Sequence, residues 1–343
     1  MKQEQDEFKY KVVLLTKNAE VYQYMYSELK QHENVLIIDD FDSWLKGIWR
    51  LIYDIMYCKN ILSNRYLKGL LKQLCKIKSI QCIFWTYIGK KLKRGTNKPL
   101  LFIWYYNYMD EIKSPMLTYL KKICLESKHV FMITDAREIQ YETISIYKRM
   151  DLVGVYDKSI ARQYGYRFYP NCYPVDERNR QEEIIYDICF IGTNRGRMDL
   201  LHEISCECEK RGIIAAFYMS DIKEDEKKLG GIQYIEERWH YRDIRQLVRK
   251  SRCLLELKNN TNIVGCSLRI QEAVMFNKKI LTNNENVYDM PGCGEETHRV
   301  QLFKSIDDIN WEFVKKDIVL NYQYKNEYSA IKWLEKLQAD VIS

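Results

Sequence analysis

Short apolar, strand-like runs alternate with helical patterning along almost the whole chain, and this alternation restricts the fold more than any other feature of the sequence. In the first half the runs are "KVVLLT", "NVLIID", "PLLFIW", "HVFMIT" and "LVGVYD". In the second half they are "YDICFIG", "IIAAFYM", "IQYIE", "CLLELK", "KKILTN" and "RVQLF". Between them, apolar residues recur at helical spacing, as in "ILSNRYLKGLLKQLCKI", where Leu67, Leu70, Leu71 and Leu74 lie opposite lysines. Helices are expected in the second half at 196–210, 241–251, 267–277, 305–315 and 326–338. Strands separated by helices belong to parallel sheets covered on both faces, so the class is α/β.

The 343 residues suffice for two such sheets, and the two sets of strands imply two Rossmann-like domains. The break falls in "YPNCYPVDERNRQEE", where two of the five prolines and a polar run interrupt the pattern near 172–184. The expected division is 1–178, 179–325 and a C-terminal helix over 326–343. No internal repeat or low-complexity stretch stands out.

Several classes are excluded at this point. Apolar stretches such as "NVLIID" and "PLLFIW" stop far short of the roughly 20 residues that a membrane-spanning helix requires. The start, "MKQEQDEFKYKVVLLT", passes from charged residues straight into a strand, without the features of a secretion signal, so a cytoplasmic location is expected. Eleven cysteines, an odd number, lie in apolar segments and read as small buried hydrophobes of a reducing compartment. Cys206 and Cys208 stand near His202, but two thiols at i and i+2 of a helix face different ways and no second ligand pair follows, so no metal site is expected.

Charge is distributed unevenly. Between Asp54 and Asp110 there is no acidic residue but eleven basic ones, which exceed the net charge of +7 and leave the rest of the chain mildly acidic. A field of this kind attracts phosphate, on nucleic acid, anionic lipid or a lipid-linked substrate.

Ligands of doubly wound sheets sit beyond the carboxyl ends of the strands, where strand order reverses. Two loops meet that condition. In "IGTNRGRMDLL", Gly192 ends a strand, Thr193 follows it, Gly196 loosens the turn, and Arg195 and Arg197 open the next helix. Two guanidiniums with helix N–H groups suit a diphosphate, although a flexible turn with solvated arginines would look the same. In "NNTNIVGCSLRIQEA", Gly265 permits close approach, Ser267 starts a helix and Arg269 is placed to meet a phosphate. Glu272 is suited to accept from a diol such as ribose, against the plainer reading of a surface glutamate on an amphipathic helix.

The stretch "SLRIQEAVMFNKKILTNN" resembles the donor-binding helix and following strand of GT-B glycosyltransferases. The chain is similar in particular to a bacterial group of these enzymes from capsular and lipopolysaccharide gene clusters. Four patterns occur in order: "FIWYYNYMDE" (102–111), "VYDKSIARQYGYRFYPNCY" (155–173), "YDICFIGTNRGR" (186–197) and the stretch just quoted. The resemblance spans roughly 100 to 320 and implies a GT-B fold, two Rossmann-like domains facing each other across a cleft. It further implies that Gly192, Arg195 and Arg197 line the diphosphate, that Ser267, Leu268 and Arg269 form the anion-binding helix start, and that Glu272 meets the ribose. Many retaining members carry a second glutamate eight residues earlier; here that position is Val264, so the stereochemical course stays open.

By the same resemblance the first domain takes the acceptor, and an inverting member needs a base there. Asp39, Asp40 and Asp135 follow strands and are candidates, Asp135 the one selected, though an aspartate in this place commonly caps a helix. No metal or cofactor is expected, since GT-B enzymes often work without a bound metal. In the basic segment, "QCIFWTYIGKKLKRGTNK" joins Phe84, Trp85 and Tyr87 to lysines, a mixture suited to a lipid interface and a polyprenyl-phosphate-linked acceptor, or else to a core with solvated lysines. The expected partners are thus a nucleotide sugar, a saccharide or lipid-linked acceptor, and an anionic membrane surface reached through 55–109. The alternative is a non-catalytic nucleic-acid-binding protein using that basic face. A Rossmann oxidoreductase is disfavoured, because "LLTKNAEVYQ" lacks the glycines of a dinucleotide site.

Overall fold

In β1 (Lys11–Leu15) every residue from Val12 to Leu15 is buried, as a strand covered on both faces requires. The computed structural model describes residues 8–16, 20–39, 44–56, 78–105, 116–134, 146–174, 182–227, 230–237, 239–258, 267–317 and 327–343. After β1 come α1 (Glu20–Met25), β2 (Val35–Ile38), α2 (Ile48–Met56), α3 (Lys78–Lys93), β3 (Leu100–Tyr105), α4 (Met116–Ile123) and β4 (Lys128–Ile133). β5 (Leu152–Val155), α5 (Lys158–Tyr164) and β6 (Arg167–Phe168) complete the first sheet, whose order is β2-β1-β3-β4-β5-β6. β1 to β5 pair in parallel, and strand order reverses between β1 and β3.

The second sheet begins with β7 (Tyr186–Thr193), followed by α6 (Met198–Lys210), β8 (Ala215–Ser220), β9 (Ile232–Ile235), α7 (Tyr241–Arg249) and β10 (Ser251–Glu256). It ends with α8 (Leu268–Met275), β11 (Lys279–Thr282), β12 (Val300–Leu302) and α9 (Trp311–Lys315); α10 (Ala330–Ile342) closes the chain. The order is β12-β11-β10-β7-β8-β9, parallel throughout. From β7 the chain moves outward through β8 to β9, returns to β10 and moves outward again on the other side. The reversal point therefore lies between β7 and β10, where a doubly wound sheet binds its ligand. Ile188, Phe190, Leu201, Ile204, Phe217, Leu255 and Leu281 form the core beneath it.

The chain forms two compact units, one of Met1–Val155, Gly165–Arg167 and Ala330–Ser343, the other of Tyr156–Tyr164 and Phe168–Ser329. Compactness thus changes hands at Val155, while the change in sequence patterning falls later, at 172–184. The terminal helix α10 belongs to the first unit: the Tyr10 N–H donates to Gln338 Oε1 at 3.2 Å, the Ala330 N–H donates to Glu28 Oε2 at 3.0 Å, and the Trp333 ring lies 5.7 Å from Tyr26. The helix expected at 305–315 is two pieces, a 3-10 turn at Ile306–Asp308 and α9, because the Asn310 side chain accepts from the Glu312 N–H and starts a new helix. The leucine-rich stretch at 61–77 lies outside the described residues.

Of the two roles the sequence leaves open for the aromatics of this segment, lipid interface or core, two of them take the core one. Phe84 and Trp85 are buried, and Tyr87 stacks on Trp49 of α2 with ring centroids 4.1 Å apart. The large apolar residues that α2 and α3 expose are aliphatic: Ile48 at 63%, Leu51 at 41% and Ile83 at 60%. Among the described residues no helix is long and apolar enough to cross a membrane.

Candidate functional site

β7 ends at Thr193 and the chain reverses at once. The Arg197 N–H donates to the Asn194 carbonyl at 2.9 Å, closing a turn whose two central residues, Arg195 and Gly196, have φ of 42° and 75°. Glycine takes such angles freely and arginine rarely does, so the turn is an unusual one that holds Arg195 at the surface.

Arg197 does something different from what the sequence suggests. Its Nη1 donates to the Leu257 carbonyl at 3.1 Å, Nε to Asn194 O at 3.3 Å and Nη2 to Thr193 O at 2.5 Å, and the guanidinium lies 5.3 Å over the Phe190 ring. It is a strut between the carboxyl ends of β7 and β10. Burial and then the charge of Arg195 push its pKa down to about 10. Gly192 makes room for this strut, because a Cβ there would come within 3.1 Å of Arg197 Nη2 and 3.2 Å of the Phe190 ring. Thus Gly192 and Arg197, read as diphosphate ligands, shape the loop.

Across the reversal point, Glu256 ends β10 and is buried. Its carboxylate accepts from the Ser267 N–H at 2.7 Å and from Thr282 Oγ1 at 3.1 Å, so it fixes the start of α8 to β11. Burial raises its pKa, against the hydrogen bonds from Ser267 and Thr282 and the charge of Arg197. Ser267 then caps α8, its Oγ accepting from the Arg269 N–H at 3.2 Å. Leu268, half-buried, opens the first turn.

Arg269 retains 17% of its side-chain exposure, whereas Glu272 retains none. The two are joined directly, Arg269 Nη1 donating to Glu272 Oε2. The other carboxylate oxygen, Oε1, accepts from the hydroxyl of Tyr241, the first residue of α7, at 2.7 Å. Burial opposes the Arg269 charge, but Glu272 and Tyr241 leave its pKa raised. Tyr241 is pushed well above the ordinary tyrosine value, first by burial and then by Glu272. The Cys189 thiol of β7 is raised to about 11, chiefly by burial, with Arg269 and Glu272 both acting on it.

The structure therefore brings Thr193, Arg197, Ser267, Arg269 and Glu272 to the carboxyl edge of the β7 and β10 strands, with Arg195 on the outer turn. Sequence reasoning missed Glu256 and Tyr241. A carboxylate closing an apolar strand in "CLLELK" was a usable signal for the first; nothing in "HYRDIRQLV" marks the second. In the first unit Asp39 accepts from Thr16 Oγ1 at 2.5 Å, linking the ends of β1 and β2. Asp40, Asp135, Val264 and Gly265 lie outside the described residues. Among the described residues no three His, Cys, Asp or Glu side chains gather as metal ligands would.

Chemically, the edge offers one cation at a helix start, a second on a tight turn, and an α6 that no side chain caps at Arg197. Such an arrangement receives a polyanion and stabilises charge that develops on it.

No family model matches the chain, and no curated protein sequence matches it. Solved structures do share its fold. An alpha,alpha-trehalose-phosphate synthase (UDP-forming) from Burkholderia vietnamiensis aligns with a TM-score of 0.51 at 10% identity, covering 98% of each chain. The Burkholderia xenovorans enzyme of the same name, in complex with glucose-6-phosphate, aligns with a TM-score of 0.51 at 9% identity, covering 97% of this chain and 100% of that one. A third, trehalose-6-phosphate synthase OtsA, gives 0.51 at 8% identity with 97% and 99% covered. The fold is GT-B, with a six-stranded parallel sheet in each half.

Proposed function

We propose that this chain is a glycosyltransferase that moves a sugar from a nucleotide-sugar donor to a saccharide or lipid-linked acceptor in the assembly of surface polysaccharide or another glycoconjugate. The observation that carries the proposal is the placement of Arg269, at the start of a capped helix, on the same strand edge as the Arg195 turn, at the reversal point of the second sheet. In the reaction, the glycosidic bond to the diphosphate breaks and negative charge accumulates on the departing group. Arg269, Arg195 and the helix N–H groups offset that charge. Shared fold with synthases that are UDP-forming supports a nucleotide-sugar donor. Asp135 is retained as the candidate base, and the reaction needs no resident metal in this reading.

Incubation of the purified protein with UDP-, GDP- and dTDP-sugars and CMP-sialic acid, with a polyprenyl-phosphate-linked saccharide as acceptor, tests the activity by mass spectrometry. Consumption of one donor with a matching mass gain on the acceptor is expected. No donor consumed and no nucleotide bound contradicts the reading.

The same proposal includes attachment to an anionic membrane surface through α2 and α3. Its support is the exposed Ile48, Leu51 and Ile83, with Lys90 on the Ile83 side of α3 two turns on. Co-sedimentation should be seen with vesicles containing phosphatidylglycerol and not with phosphatidylcholine alone, and Ile83→Asp should weaken it. Equal recovery with both lipids, or none with either, argues against this face.

A further inference from the structure

Glu272 presents a difficulty for any reading in which it reaches out to a ligand. It has no exposed surface, one oxygen accepts from Arg269 and the other from Tyr241. Burying a carboxylate is costly unless donors such as these compensate it. Tyr241 cannot substitute a charge of its own, since its hydroxyl stays protonated across the physiological range. It is itself buried at the first turn of α7, on a different helix, and so ties Glu272 to a second element.

Arg269 is the other way round. One N–H is taken by Glu272, no further hydrogen bond of the guanidinium is found among the described residues, and of the three side chains it keeps the most exposed surface, 17% against none for Glu272. A long arginine loses rotamer freedom when it binds an anion unless something already holds it. Here the holder is visible, one turn below on the same helix face.

We infer that Glu272 and Tyr241 are positioning residues that aim the Arg269 guanidinium at a phosphate group, so that Glu272 acts on the ligand through the arginine. The inference rests on the donor-site reading above and departs from the ribose contact that the family resemblance implies. It separates the two by chemistry: a carboxylate that holds ribose is indifferent to a ligand without ribose, whereas one that aims an arginine governs inorganic phosphates as well.

The test is calorimetric titration of the whole protein with inorganic pyrophosphate and, separately, with UDP. Wild type, Glu272→Gln and Tyr241→Phe are compared, with melting temperatures measured alongside. Losing a charge-assisted bond is expected to weaken pyrophosphate binding about tenfold in Glu272→Gln, and the neutral loss in Tyr241→Phe about threefold. UDP affinity should fall by the same factors, and because Tyr241→Phe leaves a buried carboxylate oxygen without its donor and lowers the melting temperature, both titrations are run where every variant is folded. Wild-type binding of pyrophosphate that neither variant changes overturns the inference and leaves the donor site standing. So does a Glu272→Gln loss confined to UDP. If wild type binds neither probe, the donor-site reading fails and the inference with it. Should Glu272→Gln not fold, Tyr241→Phe decides: a fall in pyrophosphate affinity at a temperature where the variant is folded supports the inference, and an unchanged affinity there overturns it.

Discussion

At the scale of single residues, the site consists of buried polar groups that hold one another in place. Glu256 is the clearest. Burial raises its pKa above the ordinary 4.5, so the folded protein binds this proton more tightly than the unfolded chain does. The stability it contributes is complete at acid pH and is lost as pH rises through the folded pKa. A glutamine can accept from the Ser267 N–H and donate to Thr282 Oγ1 without ionising. Glu256→Gln should therefore gain in melting temperature relative to wild type as pH climbs from 4.5 to neutrality; a constant difference would show that the carboxylate is not strained by burial. Arg197→Met, which removes the guanidinium bonds to the Leu257 and Thr193 carbonyls and one of the two bonds to that of Asn194, should destabilise by about 2 kcal/mol in denaturant titration. Gly192→Ala should lower stability by about 1 kcal/mol through crowding of the same guanidinium, and pairing it with Arg197→Met should relieve the crowding. From sequence, Arg269 and Glu272 were both visible as residues of interest. Their mutual pairing was legible too, since they are three apart on a helix, but a ligand for each was the more tempting reading.

At the scale of elements, continuous apolar runs gave away the strands because strands buried on both faces have nothing polar to alternate with. Helix ends were less legible, since they depend on side chains contributed by distant elements. α9 is an example. The Lys279 ammonium, at the start of β11, is buried and donates to the carbonyls of Phe313, Val314 and Lys316, satisfying the helix end that lacks intrahelical partners. "FNKKILTN" reveals no such contact 34 residues ahead. Lys279→Met should cost about 2–3 kcal/mol and loosen α9 selectively. Hydrogen exchange at Phe313 to Lys316 would report it, and unchanged protection there would mean the cap is not what holds the helix. The aromatics of α3 stay open in the sequence for a related reason: "IFWTY" reads equally well as an interfacial or a core face until α2 is seen packed on it.

At the scale of the whole molecule, alternation of strand and helix sufficed for two doubly wound sheets. It did not fix where each sheet reverses, because strand order depends on which side of the first strand the chain returns to. That choice, β10 beside β7, is what makes neighbours of two loops about 60 residues apart, as the Arg197 to Leu257 bond records. The central claim is that this meeting point receives the diphosphate of a nucleotide sugar. A calorimetric titration of the full chain with UDP, GDP, CDP and dTDP, repeated on Arg269→Met, tests it most directly. The account predicts that one nucleoside diphosphate binds the wild type and that Arg269→Met, which also loses stability because it leaves the buried Glu272 without its charge partner, weakens binding at least tenfold at a temperature where the variant is still folded. Binding that survives Arg269→Met undiminished, or no binding by any of the four, would contradict it.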